Sequence, residues 1–356
     1  MRPDSPYTRS RMALRFALLL LLIAAPGASA QTPQQPLQPS PPQTYQPFQP
    51  EPEPVVPQAR VVVGMGENSG SQFDDPLFKN TRIRHVRLTV PYDVIKARGR
   101  WLRHVDIWMR SAQRHAMEPL VSFGYSTRKG LRWHMPTVRE YRKHVLAFRR
   151  RYPWVHEFST WNEANHKRVQ PTGPRPVRTA ALYRELRRQC VRDGCRALAA
   201  DVLLTHAPRT WRWIRTFRRH AGRGPHIWGL HNYPDANRLT GDLTDRFLRN
   251  IPNDEVWFTE TGGIVKFGRR WKRNERRAAR AIEYVFELAE ESDRITRVYI
   301  YNWRQVRKNR RWDSGLISAD GRIRSGYWML KKNLELERFR PLLPGEQPPV
   351  LAPPLP

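Results

Sequence analysis

The chain has two cysteines, Cys190 and Cys195, among 356 residues. No neighbouring His/Cys cluster completes a ligand set around this pair, which argues against a structural zinc. In an exported protein the two can instead close a short disulfide loop. Long apolar runs are also missing. The stretch from Phe16 to Ala25 falls short of the roughly 20 residues that a membrane-spanning helix needs. No Gly-x-Gly-x-x-Gly follows the first predicted strand; Gly64-Met65-Gly66 stands alone and is no dinucleotide fingerprint. Acidic residues are scarce, 32 against 63 Lys and Arg, leaving a formal charge of +31. Such a charge attracts polyanions. Yet the excess is mostly arginine and is spread along predicted helices, as in Arg149, Arg150, Arg151, Arg187, Arg188, Arg218, Arg219, Arg276 and Arg277. No compact basic motif with interleaved aromatics stands out. The charge reads as a solvated helical surface, with no specific nucleic-acid partner.

The ends differ in composition from the middle. Residues 1–30 have the layout of a signal peptide: Arg9, Arg11 and Arg15, the apolar run, then Ala28-Ser29-Ala30 before a cleavage point. Residues 31–58 are rich in proline and glutamine and read as an extended spacer. Residues 341–356 read as a proline-rich tail. One domain is expected at 59–340, secreted or associated with the cell envelope, monomeric, and with no membrane span once the signal is removed.

Within 59–340, short apolar runs alternate with amphipathic basic stretches. Strands are expected at 61–64, 85–90, 118–123, 155–160, 197–204, 226–231, 255–259 and 296–301. Helices are expected at 102–116, 138–152, 179–193, 211–221, 242–250, 274–292 and 325–337. Several strands are near-continuous apolar runs, as in parallel sheets covered by helices. Eight strand–helix units point to a closed (β/α)8 TIM barrel; a doubly wound open sheet is the alternative. With 13 tryptophans the chain has aromatic surface for core packing and for stacking on sugar rings.

Barrel chemistry gathers where strands end. After the fourth predicted strand comes Trp161-Asn162-Glu163-Ala164-Asn165, and at the seventh Thr259-Glu260-Thr261-Gly262. Two carboxyl groups at matched strand ends are what glycoside hydrolysis requires. One protonates the leaving oxygen, and the other attacks the anomeric carbon or activates water. Glu67 and Asn68 after the first strand, and Asn165, are further candidates for sugar hydroxyls.

On these two motifs the chain resembles the clan A retaining glycoside hydrolases, the superfamily of cellulases and β-xylosidases, over about residues 60–338. The resemblance implies a retaining mechanism with Glu163 as acid/base and Glu260 as nucleophile, and no metal or organic cofactor. By it Asn162 holds the sugar 2-hydroxyl, and Arg87 is a cation beside the nucleophile that favours its ionised form. His231 and Tyr233, in His231-Asn232-Tyr233, contact the acid/base and nucleophile sides. Trp303 stands where the clan often has a sugar-stacking platform. The closing segment 312–327 has a structural role. The expected partner is a carbohydrate. The alternative is an exported barrel that binds carbohydrate or polyanion without turning it over.

Overall fold

Eight strands pair in chain order and close on themselves: β1 (Val62–Gly66), β2 (His85–Pro91), β3 (Glu118–Gly124), β4 (Glu157–Ser159), β5 (Arg196–Leu203), β6 (Ile227–His231), β7 (Glu255–Thr261) and β9 (Ile295–Tyr301). All pairings are parallel, and β9 returns to β1 with Val62 opposite Arg297 and Gly66 opposite Tyr301. The open-sheet alternative is thereby excluded. A two-stranded antiparallel piece, β8 (Lys266–Phe267) with β10 (Trp312–Asp313), was not foreseen. This computed structural model describes residues 60–306, 311–343 and 345–346. The expected signal peptide (1–30) and spacer (31–58) lie outside the described residues, as does most of the tail at 341–356.

The helices are α1 (Pro76–Lys79), α2 (Val94–Ala97), α3 (Gly99–Arg114), α4 (Val138–Arg151), α5 (Pro176–Asp193), α6 (Pro208–His220), α7 (Tyr233–Arg238), α8 (Asp242–Asn250), α9 (Glu275–Glu290) and α10 (Ser325–Leu334). Local sequence accounts for their ends. A capping box between Thr137 and Glu140 starts α4. Proline occupies the first turn of α5 and α6, where its missing N–H costs nothing. At Gly194 the backbone turns left-handed, with φ +70°, and ends α5. Just there Cys190 and Cys195 form a disulfide, tying the last turn of α5 to the start of β5. Helix faces follow the 3.6-residue period: α6 buries Trp211, Ile214 and Phe217 and turns Arg212 and Arg215 outward. Among the described residues no helix is long and apolar enough to cross a membrane.

The main core lies between strands and helices. A second small cluster, Leu120, Leu198, Trp257 and Tyr299, fills the barrel interior. Arg297 lies 4.0 Å over the Trp257 ring and pairs with Glu157 at 2.7 Å. Gly64 leaves room for Tyr299, whose ring a Cβ there would overlap. The barrel is therefore plugged, and its ligand face is the end where the strands finish.

Candidate active site

Toward the strand ends the barrel interior becomes polar. Arg87 on β2 is buried, and its guanidinium joins four groups, from β5, β6, β7 and the turn after β4. Nη1 donates to Glu260 Oε2 at 2.9 Å, and Nη2 donates to Asp201 Oδ2 at 2.8 Å and to Asn162 Oδ1 at 2.6 Å. His231 Nε2 lies 3.3 Å from the same Nη2. Asp201, on β5, also accepts from Ser122 (2.5 Å), Ser159 (2.8 Å) and Thr259 (3.1 Å), on β3, β4 and β7. A Cβ at Gly229 on β6 would overlap Asp201 Oδ1, so glycine makes this carboxylate's room. Burial pushes the Asp201 carboxyl up, but the charge of Arg87, then His231 and the Ser122 bond, hold it below the usual range. Asp201 was missed by sequence reasoning.

Glu260 lies on β7 next to an irregularity in the β7–β9 register between Phe258 and Thr261. Strict alternation would turn Glu260 away from the interior that Thr259 faces; the irregularity re-aims it to the mouth. Its second oxygen, Oε1, accepts from the Tyr233 hydroxyl at 3.1 Å. Burial, with the Glu260 charge, raises the Tyr233 phenol well above its ordinary value, so it remains a donor.

Glu163 follows β4 in a turn where its own φ is +45°. Left-handed backbone is unfavourable for a side-chain-bearing residue and persists only where neighbours fix it. Here Asn162 N donates to Phe123 O (2.7 Å) and Ala164 N to Asp201 O (2.9 Å), bracketing the turn between β3 and β5. Trp161 is buried, its indole N–H on Gln170 at 3.0 Å. The Glu163 Oε1 atom lies 3.2 Å from His231 Nδ1. His231 Nε2 faces the donor Nη2 of Arg87, while Asp201 and Glu260 are 4.0 and 3.9 Å away. Nδ1–H donates to Glu163. Burial pushes the Glu163 carboxyl up. The His231 hydrogen bond, with the charges of His231, His166 and Arg87, outweighs this and holds it below the usual range.

The structure thus brings together Arg87, Asn162, Glu163, His231, Tyr233 and Glu260. Three other expected sugar contacts are turned elsewhere. Glu67 is buried and spent on loop donors: Oε1 accepts from Asn68 N (2.7 Å) and Ser69 N (3.2 Å), and Oε2 from Arg304 N (3.2 Å) and the Asn302 side-chain amide (3.2 Å). The Asn165 amide pairs both ways with the Leu203 backbone, at 2.9 Å each, and ties the Glu163 turn to the end of β5. Trp303 is 1% exposed, packs edge-on to Phe78 and Tyr327, and donates to Asp75 at 3.0 Å. It offers no face to a sugar. Asp313, in the closing segment, is buried against Arg324 at 2.7 Å.

Aromatic surface reaches the site from β8 and β10 instead. A cleft of about 540 Å³ contains Glu163 and Glu260 and is walled by Tyr233, Phe267, Trp271, Tyr301 and Trp312. Trp312 packs edge-on to Tyr233 (5.1 Å) and Phe267 (5.3 Å). Their sequence signal was the tryptophan content alone. Among the described residues no group of three or more His, Cys, Asp or Glu is arranged to hold a metal ion.

A closed eightfold barrel with two carboxylates at the ends of β4 and β7 defines a (β/α)8 barrel of the glycoside hydrolase kind. Residues 152–328 match the family Glycosyl hydrolase catalytic core. Over that stretch the chain is similar to the catalytic cores of glycosyl hydrolases. Among solved structures it is similar to the GH5_18 protein of Streptomyces cattleya in complex with GlcNAc: TM-score 0.57, 14% identity, 80% of this chain and 83% of that one. It is also similar to a GH10 endoxylanase from a sugarcane soil metagenome, at TM-score 0.54 and 13% identity, over 78% of this chain and 96% of the other. Xylanase B of Clostridium stercorarium F9 gives TM-score 0.55 and 12% identity, over 76% and 96%. At these identities the likeness is one of fold. A comparison with curated protein sequences gives no match.

Proposed function

We propose that the protein is a retaining glycosidase that hydrolyses O-glycosidic bonds of a poly- or oligosaccharide, with Glu163 as acid/base and Glu260 as nucleophile. The observation that carries this reading is the placement of one imidazole between two carboxylates held in different ways. His231 Nδ1 is 3.2 Å from Glu163 and its Nε2 is 3.9 Å from Glu260. Glu260 is gripped by fixed donors, Arg87 and Tyr233, which suits a group that attacks as an anion. Glu163 has a single imidazole N–H donor and an open side on the cleft, which suits a group that gains and loses a proton.

In the first step a Glu260 oxygen attacks the anomeric carbon while Glu163 gives its proton to the departing glycosidic oxygen, leaving a glycosyl ester on Glu260. In the second step the Glu163 carboxylate takes a proton from water. The water oxygen bonds to the anomeric carbon and the Glu260 carboxylate leaves. Arg87 accepts into its grip the charge that returns to Glu260. Because Arg87 engages Asn162 Oδ1, the amide N–H donors are left for a sugar hydroxyl. The proposed setting is outside the cytoplasm, with the protein acting as a monomer.

The test uses a panel of 2-deoxy-2-fluoro glycosides with good leaving groups. Peptide mapping should find the label on Glu260, and proton NMR of a cleaved substrate should show the first-formed anomer retaining its configuration. An inverted first product sinks the mechanism. The charge of +31 favours one rival, a barrel that binds polyanions without turnover. Under that rival no glycan is cleaved, and Glu260→Gln changes nothing but local charge.

A further inference from the structure

We infer that the cleft takes an acidic sugar, whose carboxylate or sulfate ester is held by Arg238 and Arg270; this rests on the glycosidase reading of the same cleft. The only acids among its lining residues are Glu163 and Glu260, whereas Arg238, Arg270 and His166 all line it. Some arginines elsewhere in this acid-poor chain find carboxylates even at the surface. Arg142, Arg151 and Arg322 pair with Glu185, Asp106 and Glu275, and Arg273, three residues from Arg270, pairs with Asp313 at 3.0 Å. Among the described residues neither cleft arginine does so. The neighbour of Arg238 is another base, His206 Nε2, at 3.4 Å.

Both arginines sit on fixed backbone. Arg238 is the last residue of α7, whose first residue, Tyr233, holds Glu260. The helix is pinned to the loop after β7 by the Asn237 side chain, which donates to Gly262 O (2.8 Å) and accepts from Ile264 N (2.7 Å). Arg270 lies inside the turn closed by reciprocal backbone bonds between Phe267 and Trp271, at 3.0 and 3.1 Å. Two guanidinium groups facing one cleft repel each other and also offset the two glutamates. A neutral sugar relieves neither strain on the field, whereas an anionic substituent satisfies the guanidinium donors through charge-assisted, planar bonds. It also overcomes the repulsion that Glu163 and Glu260 exert on an acidic substrate. The aromatic wall of Phe267, Trp271 and Trp312 supplies the ring-stacking surface beside them.

The experiment is calorimetric titration of full-length protein carrying Glu260→Gln, so that binding is read without turnover. The probes are galacturonate oligosaccharides with their carboxyl-reduced counterparts, and sulfated galactan oligosaccharides with their desulfated counterparts. The pair that shows a preference identifies the anion. The acidic member is expected to bind at least about 10-fold tighter, and Arg238→Gln with Arg270→Gln should remove that preference. Attraction by total charge is controlled for, because in the Glu260→Gln background this double change lowers the net charge only from +32 (31 + 1) to +30 (32 − 2). Arg212→Gln with Arg215→Gln on α6, outside the cleft, removes the same charge and should leave the preference intact. Equal binding of acidic and neutral members, no binding of either acidic probe, or equal loss in the α6 control overturns the inference. Failure of the wild type to cleave any glycan would instead fell the glycosidase reading, while these titrations still report on the cleft.

Discussion

Substituting Asp201→Asn tests whether the polar interior above the barrel plug is an electrostatic unit. Arg87 and Asp201 are both buried, at 3% and 0% exposure. Removing one charge from such a pair costs about 3–5 kcal/mol, because the other charge stays buried. Glu260 still faces Nη1 of Arg87, which places the expected loss at the lower end. The amide also gives up one acceptor. Its remaining oxygen can serve Ser159 and Thr259, but the Ser122 hydroxyl then faces an N–H, for about 1 kcal/mol more. The expected destabilisation is about 3–4 kcal/mol in urea unfolding at neutral pH. Glycan cleavage should fall mainly through kcat, since Arg87 loses the anchor that aims it at Glu260. A second variant, Arg87→Met with Asp201→Leu, should regain most of the stability, because a well-packed apolar pair replaces a buried ion pair. It should regain no activity. An Asp201→Asn protein within about 0.5 kcal/mol of the parent, the range of a neutral surface change, would refute the reasoning.

Three further outcomes are expected. In the pH profile of kcat/KM, the limb that falls with rising pH reports loss of the Glu163 proton; removing the donor with His231→Phe leaves burial dominant and should move that limb to higher pH, whereas an unmoved limb denies His231 its role. Glu163→Gly should be inactive yet more stable than Glu163→Ala by about 1 kcal/mol, because only glycine occupies φ +45° freely, and equal urea midpoints would show the turn unstrained. Glu185 resists protonation although burial pushes its carboxyl up, because Arg142, Arg188 and Gln189 bind it and bring it down to about 2. Its stabilisation is full above the ordinary 4.5 and is lost as pH falls toward 2. The Glu185→Gln protein should therefore be weaker at neutral pH and converge with the parent in acid; a gap that persists at pH 2 contradicts the assignment.

The parts of the site that were legible in the sequence are those carried by contiguous residues. Trp161-Asn162-Glu163, His231-Asn232-Tyr233 and Thr259-Glu260 each place chemistry at the end of an apolar run, and parallel-strand logic puts such ends on one face. Asp201 was opaque for the opposite reason. In Ala199-Ala200-Asp201-Val202 it interrupts an apolar strand, and the β5–β6 register shifts between Leu198 and Asp201, so counting residues does not show that it faces the barrel axis. Its partners come from β2, β3, β4 and β7, which only closure brings together. Glu67, Asn165 and Trp303 misled because a polar or aromatic residue at a strand end has two outlets. Loops that cross a barrel mouth expose backbone groups that must be satisfied, and Glu67 and Asn165 serve those. Trp303 follows the last strand where the chain turns under the mouth, and its ring is drawn into the core. The true wall, Phe267 with Trp312, depends on two dipeptides 45 residues apart (312 − 267) pairing across the mouth, which no local pattern announces.

The two ends of the described chain meet at the floor of the barrel. Val61 N donates to Arg338 O at 2.8 Å, and Arg60 bridges Glu337 and Glu346 at 2.9 Å each. Both lie at the start of β1, whereas Glu163 lies beyond the finishing end of β4 and Glu260 at the finishing end of β7. A surface, resin or fused domain attached directly at residue 60 or residue 346 therefore holds the barrel by its base and leaves the mouth facing outward. For the same reason residues 60 and 346 can be joined by a short peptide and new ends opened in a helix–strand loop on the floor, giving a permuted barrel whose cleft is built from uncut strands.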